Sequence, residues 1–296
     1  MSNAIDLSQL PVPRIVENID YESILAELLD DLAYRYPEFD VPAESDPIYK
    51  ILEVAAYREM LVRQRVNEAA RAVMLAYAEE EDLDNLGALF NVNRLQTDAG
   101  DPDAIPPVPP AFETNADFRR RILLSLEGLS TAGPEGAYIF HALSASGSVL
   151  DASATSPTPG DVVLTVLARE GNGTPTPELL ETVDAAVSAE DVRPLTDHVI
   201  VQGVDIIEYT IDAALFFYPG PDSDVVLAEA QAEAQKYVDK QHRLGMDITL
   251  SGVYAALHRA GVQRVELESP TQTITVDRQQ AAYCTAIAIA NGGVDE

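Results

Sequence analysis

Cysteine is almost missing from this chain of 296 residues: Cys284 is the only one. Neither a disulfide framework nor a cysteine-based metal site forms within one such chain, which suits folding in a reducing cytoplasm. Tryptophan is absent and aromatics make up 6% of the residues, too few for a platform that stacks sugars or bases. Basic residues are scarce too, 19 against 49 acidic ones, for a formal net charge of -30. So acidic a chain repels phosphate backbones, and direct nucleic-acid binding is not expected. Long apolar runs are lacking, and none approaches the roughly 18 residues that mark a membrane span. The opening MSNAIDLSQLPVPRIVENIDYE has no basic start and no long apolar stretch, so a secretory signal is not expected.

What is there is enough to fold. Apolar residues make up 47%, which suits two or three packed domains and not general disorder. LPVPRIVENI reads as an extended arm, because two close prolines resist helix. A helix is expected from Asp20, its N-cap, with Ile24, Leu25, Leu28 and Leu32 on one side, ending at Pro37. The segment Phe39 to Ser45 reads as a loop. Asp46-Pro47 signals another start, an acid cap followed by proline in the first turn. Apolar residues then recur at three- and four-residue steps (Ile48, Ile51, Leu52, Ala55, Val62, Val66, Ala69, Val73, Tyr77). They predict one helix from Pro47 to Ala78, a rod of roughly 45–50 Å. Its other face carries Arg58, Arg65, Glu68 and Arg71, and i,i+3 ion pairs on a solvated face are the plain reading.

The stretch EEEDLDNLGALFNVNR, Glu79 to Arg94, mimics a calcium loop in part. Asp82, Asp84 and Gly87 fit positions 1, 3 and 6, but Leu86 and Asn93 stand where oxygen ligands are required. A short amphipathic helix fits better, with Leu83, Leu86 and Phe90 as its buried stripe and acids at its positive end. From Pro102 to Pro110 there are five prolines in nine residues, an extended linker or surface loop. A helix resumes near Thr114 and runs to about Leu126.

The second half mixes helix and strand. Expected helices begin at Pro134 and span Pro177 to Ala189, Asp224 to Gln241 and Leu250 to Arg259. Expected strands are Ser148 to Thr155, Asp161 to Ala168, Asp197 to Val201, Ile206 to Phe217, Val262 to Glu268, Thr273 to Val276 and Tyr283 to Ile289. GAYIFHALSASGSVLDASATSP and GVYAALHRAGVQRVELESP echo each other: a helix with a tyrosine, a glycine stop, a strand and Ser-Pro. The fold class is therefore α+β multidomain: an N-terminal helical region with a long helix, then two small α+β domains with mixed sheets. The expected division is 1–97 as N-terminal arm and helical core, 98–113 as Pro-rich linker or loop, 114–204 and 205–296 as the α+β domains.

Signals for catalysis are poor. His141, His198, His242 and His258 show no HxxH or HExxH spacing. Gly128, Ser130 and Gly133 do not form a nucleophile elbow, which needs a strand before it. Gly171-Asn172-Gly173 matches no phosphate loop. With 49 carboxylates in the chain, no acid/base pair stands out. No catalytic, cofactor or metal residue is assigned.

The order of motifs carries a resemblance. LPVPRIVENIDYESILAE, EEEDLDNLGALFNVNR, FRRRILLSLEGLSTAGPEGAYIFHAL, SGSVLDASATSPTPGDVVLTVLAREGNGTP, VRPLTDHVIV and LGMDITLSGVYAALHRAGVQRVELESP occur in sequence and span most of the chain. In this the chain resembles the baseplate assembly protein J family of contractile-tail phages; the Pro-rich segment is the part without a match. The resemblance implies a structural, non-enzymatic role without cofactors. Such proteins form wedges around a phage baseplate hub, and in T-even relatives two copies pair with one copy of another subunit. Neighbouring copies link into a ring that couples host contact to sheath contraction, and tail-like bacteriocins use a similar wedge. It also implies partners among other wedge proteins and copies of itself, with hub or sheath-proximal proteins as further ones. The place would be the virion tail baseplate, after synthesis in the bacterial cytoplasm. Two interface patches are expected. One comprises Ile51, Leu52, Val62, Val66, Val73, Leu83, Leu86, Leu89 and Phe90. The other lies on the C-terminal α+β units. The alternatives are an assembly factor absent from finished particles and a tail-associated hydrolase.

Overall fold

A computed structural model describes residue 7 and residues 19–38, 43–130, 132–220 and 222–294. The expected N-terminal arm, save Leu7 and Ile19, and residues 39–42 of the expected loop lie outside them. The chain divides into two compact units, Asn3–Asn93 and Arg94–Glu296.

In the first unit, α1 (Tyr21–Arg35) starts where its cap predicts: the Asp20 carboxylate accepts the Ser23 N–H at 3.1 Å. Helix α2 (Pro47–Ala72) starts likewise, with Asp46 accepting the Ile48 N–H at 2.9 Å and proline in the first turn. The two helices share a small core of Ile24, Leu25 and Ala56, against which Tyr21, Leu28, Tyr49, Leu52 and Met60 pack. Helix α2 ends at Ala72 and not at Ala78, so it is about 39 Å long at 1.5 Å per residue. No glycine or proline stops it. The chain turns through Met74, whose carbonyl accepts the N–H groups of Tyr77 and Ala78, and Ala78 is buried. Apolar spacing alone cannot register such a turn.

Helix α3 (Glu80–Ala88) has Glu80, Glu81 and Asp82 in its first turn and buries Leu83. Beyond it the chain closes on Gly87, whose carbonyl accepts the N–H groups of Phe90 and Val92. Asn91 takes a left-handed φ of 56°, which asparagine tolerates at a helix end. Phe90 therefore lies past the helix and is not the third member of a buried stripe.

The second unit opens with β1 (Gln96–Asp98) antiparallel to β2 (Ala111–Phe112). The Pro-rich segment between them does not run out as a spacer. Asp101 and Val108 exchange N–H···O bonds of 2.9 Å each way, so the segment folds back as a hairpin. Its prolines lack N–H groups, and the ladder uses residues between them. Gly100 permits the close approach: its φ is 68°, and a Cβ there would lie 2.4 Å from the Val108 carbonyl oxygen. The hairpin base is tied down by Glu113, which is buried beside Arg121 at 2.6 Å and accepts the Leu95 N–H at 2.9 Å.

Helices α4 (Asn115–Gly128) and α5 (Glu135–Ala145) follow, then β3 (Val149–Thr155), β4 (Asp161–Ala168), α6 (Pro177–Val187) and β5 (His198–Gly203). The sheet runs β3-β4-β5, with β4 antiparallel to β3 and parallel to β5. Next come β6 (Asp205–Phe217), α7 (Ser223–Gln241), α8 (Leu250–Leu257), β7 (Val262–Ser269) and β8 (Gln280–Val294). The second sheet runs β7-β6-β8, with β6 antiparallel to β7 and parallel to β8. Along β6 the buried residues alternate as Tyr209, Ile211, Ala213, Leu215 and Phe217. Ala230 and Ala234 on α7 are fully buried in the same core, and their small size lets the helix lie close.

Two strand expectations change. Thr273 to Val276 forms no strand; Ile274 makes only a bridge to Ile248. Strand β8 runs far beyond Tyr283 to Ile289, because its pairing with β6 continues through Asn291 and Gly293 to Val294. Those residues read as turn signals, and tertiary pairing overrides them. The sequence echo has a structural counterpart. In both sheets the echoed helix and strand (α5–β3, α8–β7) supply the edge antiparallel to the central strand, and a later strand supplies the parallel edge.

The two sheets meet at a shared joint. Leu167, Val204 and Ala281 are buried there, with Leu150, Ile206 and Leu244 packed on them. Arg243, in the connection after α7, reaches Asp117 on α4 at 2.8 Å and donates to the Leu150 carbonyl. Arg169 adds a 3.1 Å bond to the same carboxylate. Asp151 on β3 accepts from Arg120 at 2.8 Å and from the Leu244 N–H at 3.1 Å.

Candidate assembly surface

Helix α2 carries two apolar faces. One, formed by Tyr49, Leu52, Ala56 and Met60, packs toward α1. Arg63 closes that side with Glu59 at 2.5 Å and Glu27 at 3.5 Å. The other face is bare. At about 100° per residue, Ile51, Val62, Val66 and Val73 fall within an arc of about 60°, well away from the α1 side. Ile51 is 66% exposed, Val62 63%, Val66 54% and Val73 71%. Single exposed apolar residues are ordinary, but a continuous row on one helix marks a contact surface.

Of the residues predicted from the sequence, Ile51, Val62, Val66, Val73, Leu89 and Phe90 are exposed. Leu86 is half-buried. Two are corrections: Leu52 packs into the α1–α2 core and Leu83 is fully buried. Both hold the unit together and do not present an outer surface. Sequence reasoning missed Val54, Tyr57 and Leu61, which are exposed on the same helix. Their spacing of three and four residues was the available signal.

Between the two exposed apolar rows stand Arg58 and Arg65. Their side chains, and that of Arg71, make no ion pair with any described residue, and Glu68 instead accepts from Gln64 at 2.8 Å. The expected i,i+3 pairing is therefore absent. Ile48, Ile51, Ala55, Arg58, Val62, Arg65, Ala69 and Ala72 alternate steps of three and four, the spacing of a coiled-coil seam with two cations in it.

Residues weighed for chemistry are dispersed. His141 hydrogen-bonds the Gly128 carbonyl at 3.3 Å, and His242 the Ala282 carbonyl at 2.8 Å. His198 opens β5 beside Asp161 at 3.2 Å, and His258 caps α8 through its backbone. Among the described residues no group of three or more His, Cys, Asp or Glu side chains is placed to hold a metal. Ser130 follows helix α4 and not a strand. Gly173 closes a turn on the Glu170 carbonyl at 3.1 Å. Burial pushes the Cys284 thiol above its usual range, away from the reactive thiolate. No helix among the described residues is long and apolar enough to cross a membrane.

An α+β chain with an unpartnered apolar helix face and scattered polar chemistry has the character of an assembly component. The Baseplate J-like N-terminal domain matches residues 44–101, the Baseplate J-like central domain residues 130–203, and the Baseplate J-like protein C-terminal domain residues 209–290. The chain belongs to this family of phage baseplate proteins. It is 50% identical over 299 residues to the Baseplate protein J of Escherichia phage P2, an alignment spanning 99% of each chain. It is also similar, at a TM-score of 0.41 and 12% identity, to a chain in a cryo-EM structure of the anti-feeding prophage baseplate. That likeness covers 60% of this chain and 44% of the other, so the chain spans under half of that neighbour.

Proposed function

We propose that the chain is a structural component of the baseplate wedge of a contractile phage tail or a related contractile injection particle. In this reading it links wedges into a ring around the central hub and couples baseplate change to sheath contraction. It acts through contacts and not through catalysis. The observation that carries the reading is the match of all three Baseplate J-like domains along the chain, in order. The bare face of α2 supports it, because an assembly part needs surface that its own fold does not use. The four segments 1–97, 98–113, 114–204 and 205–296 serve as helical core, hairpin and two α+β contact modules.

The seam on α2 narrows the partner. In a chain of net charge -30, Arg58 and Arg65 meet no carboxylate among the described residues, and two α2 seams laid together would place arginines against arginines. A helix of another baseplate protein, apolar with carboxylates opposite these arginines, fits better. Native mass spectrometry of the chain co-expressed with its neighbouring gene products tests the reading. A stable complex containing this chain and another baseplate subunit is expected. A chain that ignores every neighbour and is missing from purified particles overturns it.

A further inference from the structure

The polar joint around Asp117 encloses a cavity of about 10 Å³ between α4 and the start of β3, room for one particle of water's size. Its charged wall is Arg120, Arg121, Arg169, Glu113 and Asp117, and aliphatic side chains close the rest. Three arginines meet two carboxylates there, which leaves one positive charge in excess. Arg243 bonds Asp117 and Asp151 bonds Arg120, each at 2.8 Å. They add one charge of each sign and leave that excess as it is. Arg94, donating to the Glu113 carbonyl at 3.0 Å, adds to the positive side. In a chain with 49 acidic residues against 19 basic ones, this balance runs against the composition.

Hydrogen bonds point the same way. Glu113 accepts from Arg121 at 2.6 Å and from the Leu95 N–H at 2.9 Å. Asp117 accepts from Arg243 on one oxygen at 2.8 Å and from Arg169 on the other at 3.1 Å. The carboxylates are therefore already bonded, whereas each guanidinium carries five N–H groups. Arg120 donates to Asp151 through one terminal nitrogen. Arg169 donates through Nε to the Gly147 carbonyl and through one terminal nitrogen to Asp117. A water in the cavity would bring two further donors; a bare anion only accepts. Burial alone would raise the Asp117 carboxyl, yet Arg243 and Arg169 hold it below its usual range, so the local field is positive.

We infer that this cavity binds one monatomic anion, a halide such as chloride, against Arg120, Arg121 and Arg169. Sulfate and phosphate are too large for the space. Arg120, the most exposed of the three at 36%, shifts to admit the ion. The formal charge of -30 does not forbid it, because exposed carboxylates beyond about 10 Å are screened by salt while the arginines stand at contact. The bound ion offsets a buried excess charge that would otherwise be costly. It braces α4 against the first sheet beside the Arg243 tie. The site does not use the α2 surface and stands apart from the wedge reading.

The test is thermal melting of the full chain in sodium chloride, sodium bromide or sodium gluconate at one ionic strength. Chloride and bromide should raise the melting temperature in a saturable way, by about 3–6 °C at ten times the dissociation constant, and gluconate should not. Crystals grown in bromide should show an anomalous peak between Arg120 and Arg169. Arg120→Gln should reduce the halide response at least tenfold in affinity, whatever its own stability, and Arg264→Gln on β7 should keep it. Equal melting in chloride and gluconate overturns the inference. So does a bromide crystal whose cavity holds a water or nothing, or a halide response that Arg120→Gln leaves unchanged, which would mark an adventitious ion only.

Discussion

Glu113 and Arg121 show how much one pair of side chains can hold. Their side chains are 3% and 5% exposed and lie 2.6 Å apart, and Arg121 also donates to Ser144 at 3.1 Å. Neither charge reaches water, so losing one strands the other. Glu113→Gln should cost about 3 kcal/mol, a fall in melting temperature of roughly 6–12 °C for a unit of this size, read by differential scanning calorimetry. Asp117 responds to acid instead. Burial pushes its carboxyl up, but Arg243 and Arg169 outweigh that and hold it below the usual carboxylate range. A lowered native pKa contributes stability that is complete above the unfolded value of about 3.9 and is lost as pH falls through the native one. The stability gap between wild type and Asp117→Asn should therefore be full at neutral pH and close below about pH 4. Thermal melts across a pH series check this. Nothing in the sequence singled out these carboxylates among the 49 present, because a partner distant in the chain defines each.

Helix α2 decides at the scale of an element. Its start was legible from Asp46-Pro47, and its end was not, because the stop comes from a turn through Met74 without any breaker residue. Its apolar spacing was legible too, but not which residues face inward. Apolar period measures a stripe; only packing against α1 shows that Leu52 belongs to one face and Val62 to another. This gives a paired prediction. Val62→Asp should leave the melting temperature within about 4 °C, since exposed substitutions cost about 0.5 kcal/mol or less, yet abolish the complex with the partner subunit. Leu52→Asp should lower stability by at least about 2 kcal/mol, because it buries a charge. Calorimetry beside pull-down of co-expressed subunits separates the two effects. Arg58→Glu with Arg65→Glu should weaken the same complex at least tenfold while the isolated chain melts unchanged.

At the scale of the molecule, the two sheets behave as parts of one unit. Asp117, Arg169, Arg243, Asp151 and Leu244 tie α4 and the first sheet to the second, over an apolar patch around Val204. Residues Arg94–Glu296 should therefore unfold in one calorimetric transition. Arg243→Ala should separate it into two, because the apolar contact left behind is small. A single unchanged transition in that variant would mean the polar tie is dispensable.

The sequence by itself determined the helix starts, most of the strands, the strongly acidic balance and the family. Each depends on local chemistry or on the order of motifs: a cap acid, a period of two or 3.6, a ratio of acids to bases. Tertiary structure alone decided which apolar face of α2 stays bare, how the Pro-rich segment folds back and how far β8 runs. It also decided which carboxylates meet arginines. These are contacts between residues far apart in the chain, and no local pattern encodes which of several satisfied partners a residue will find.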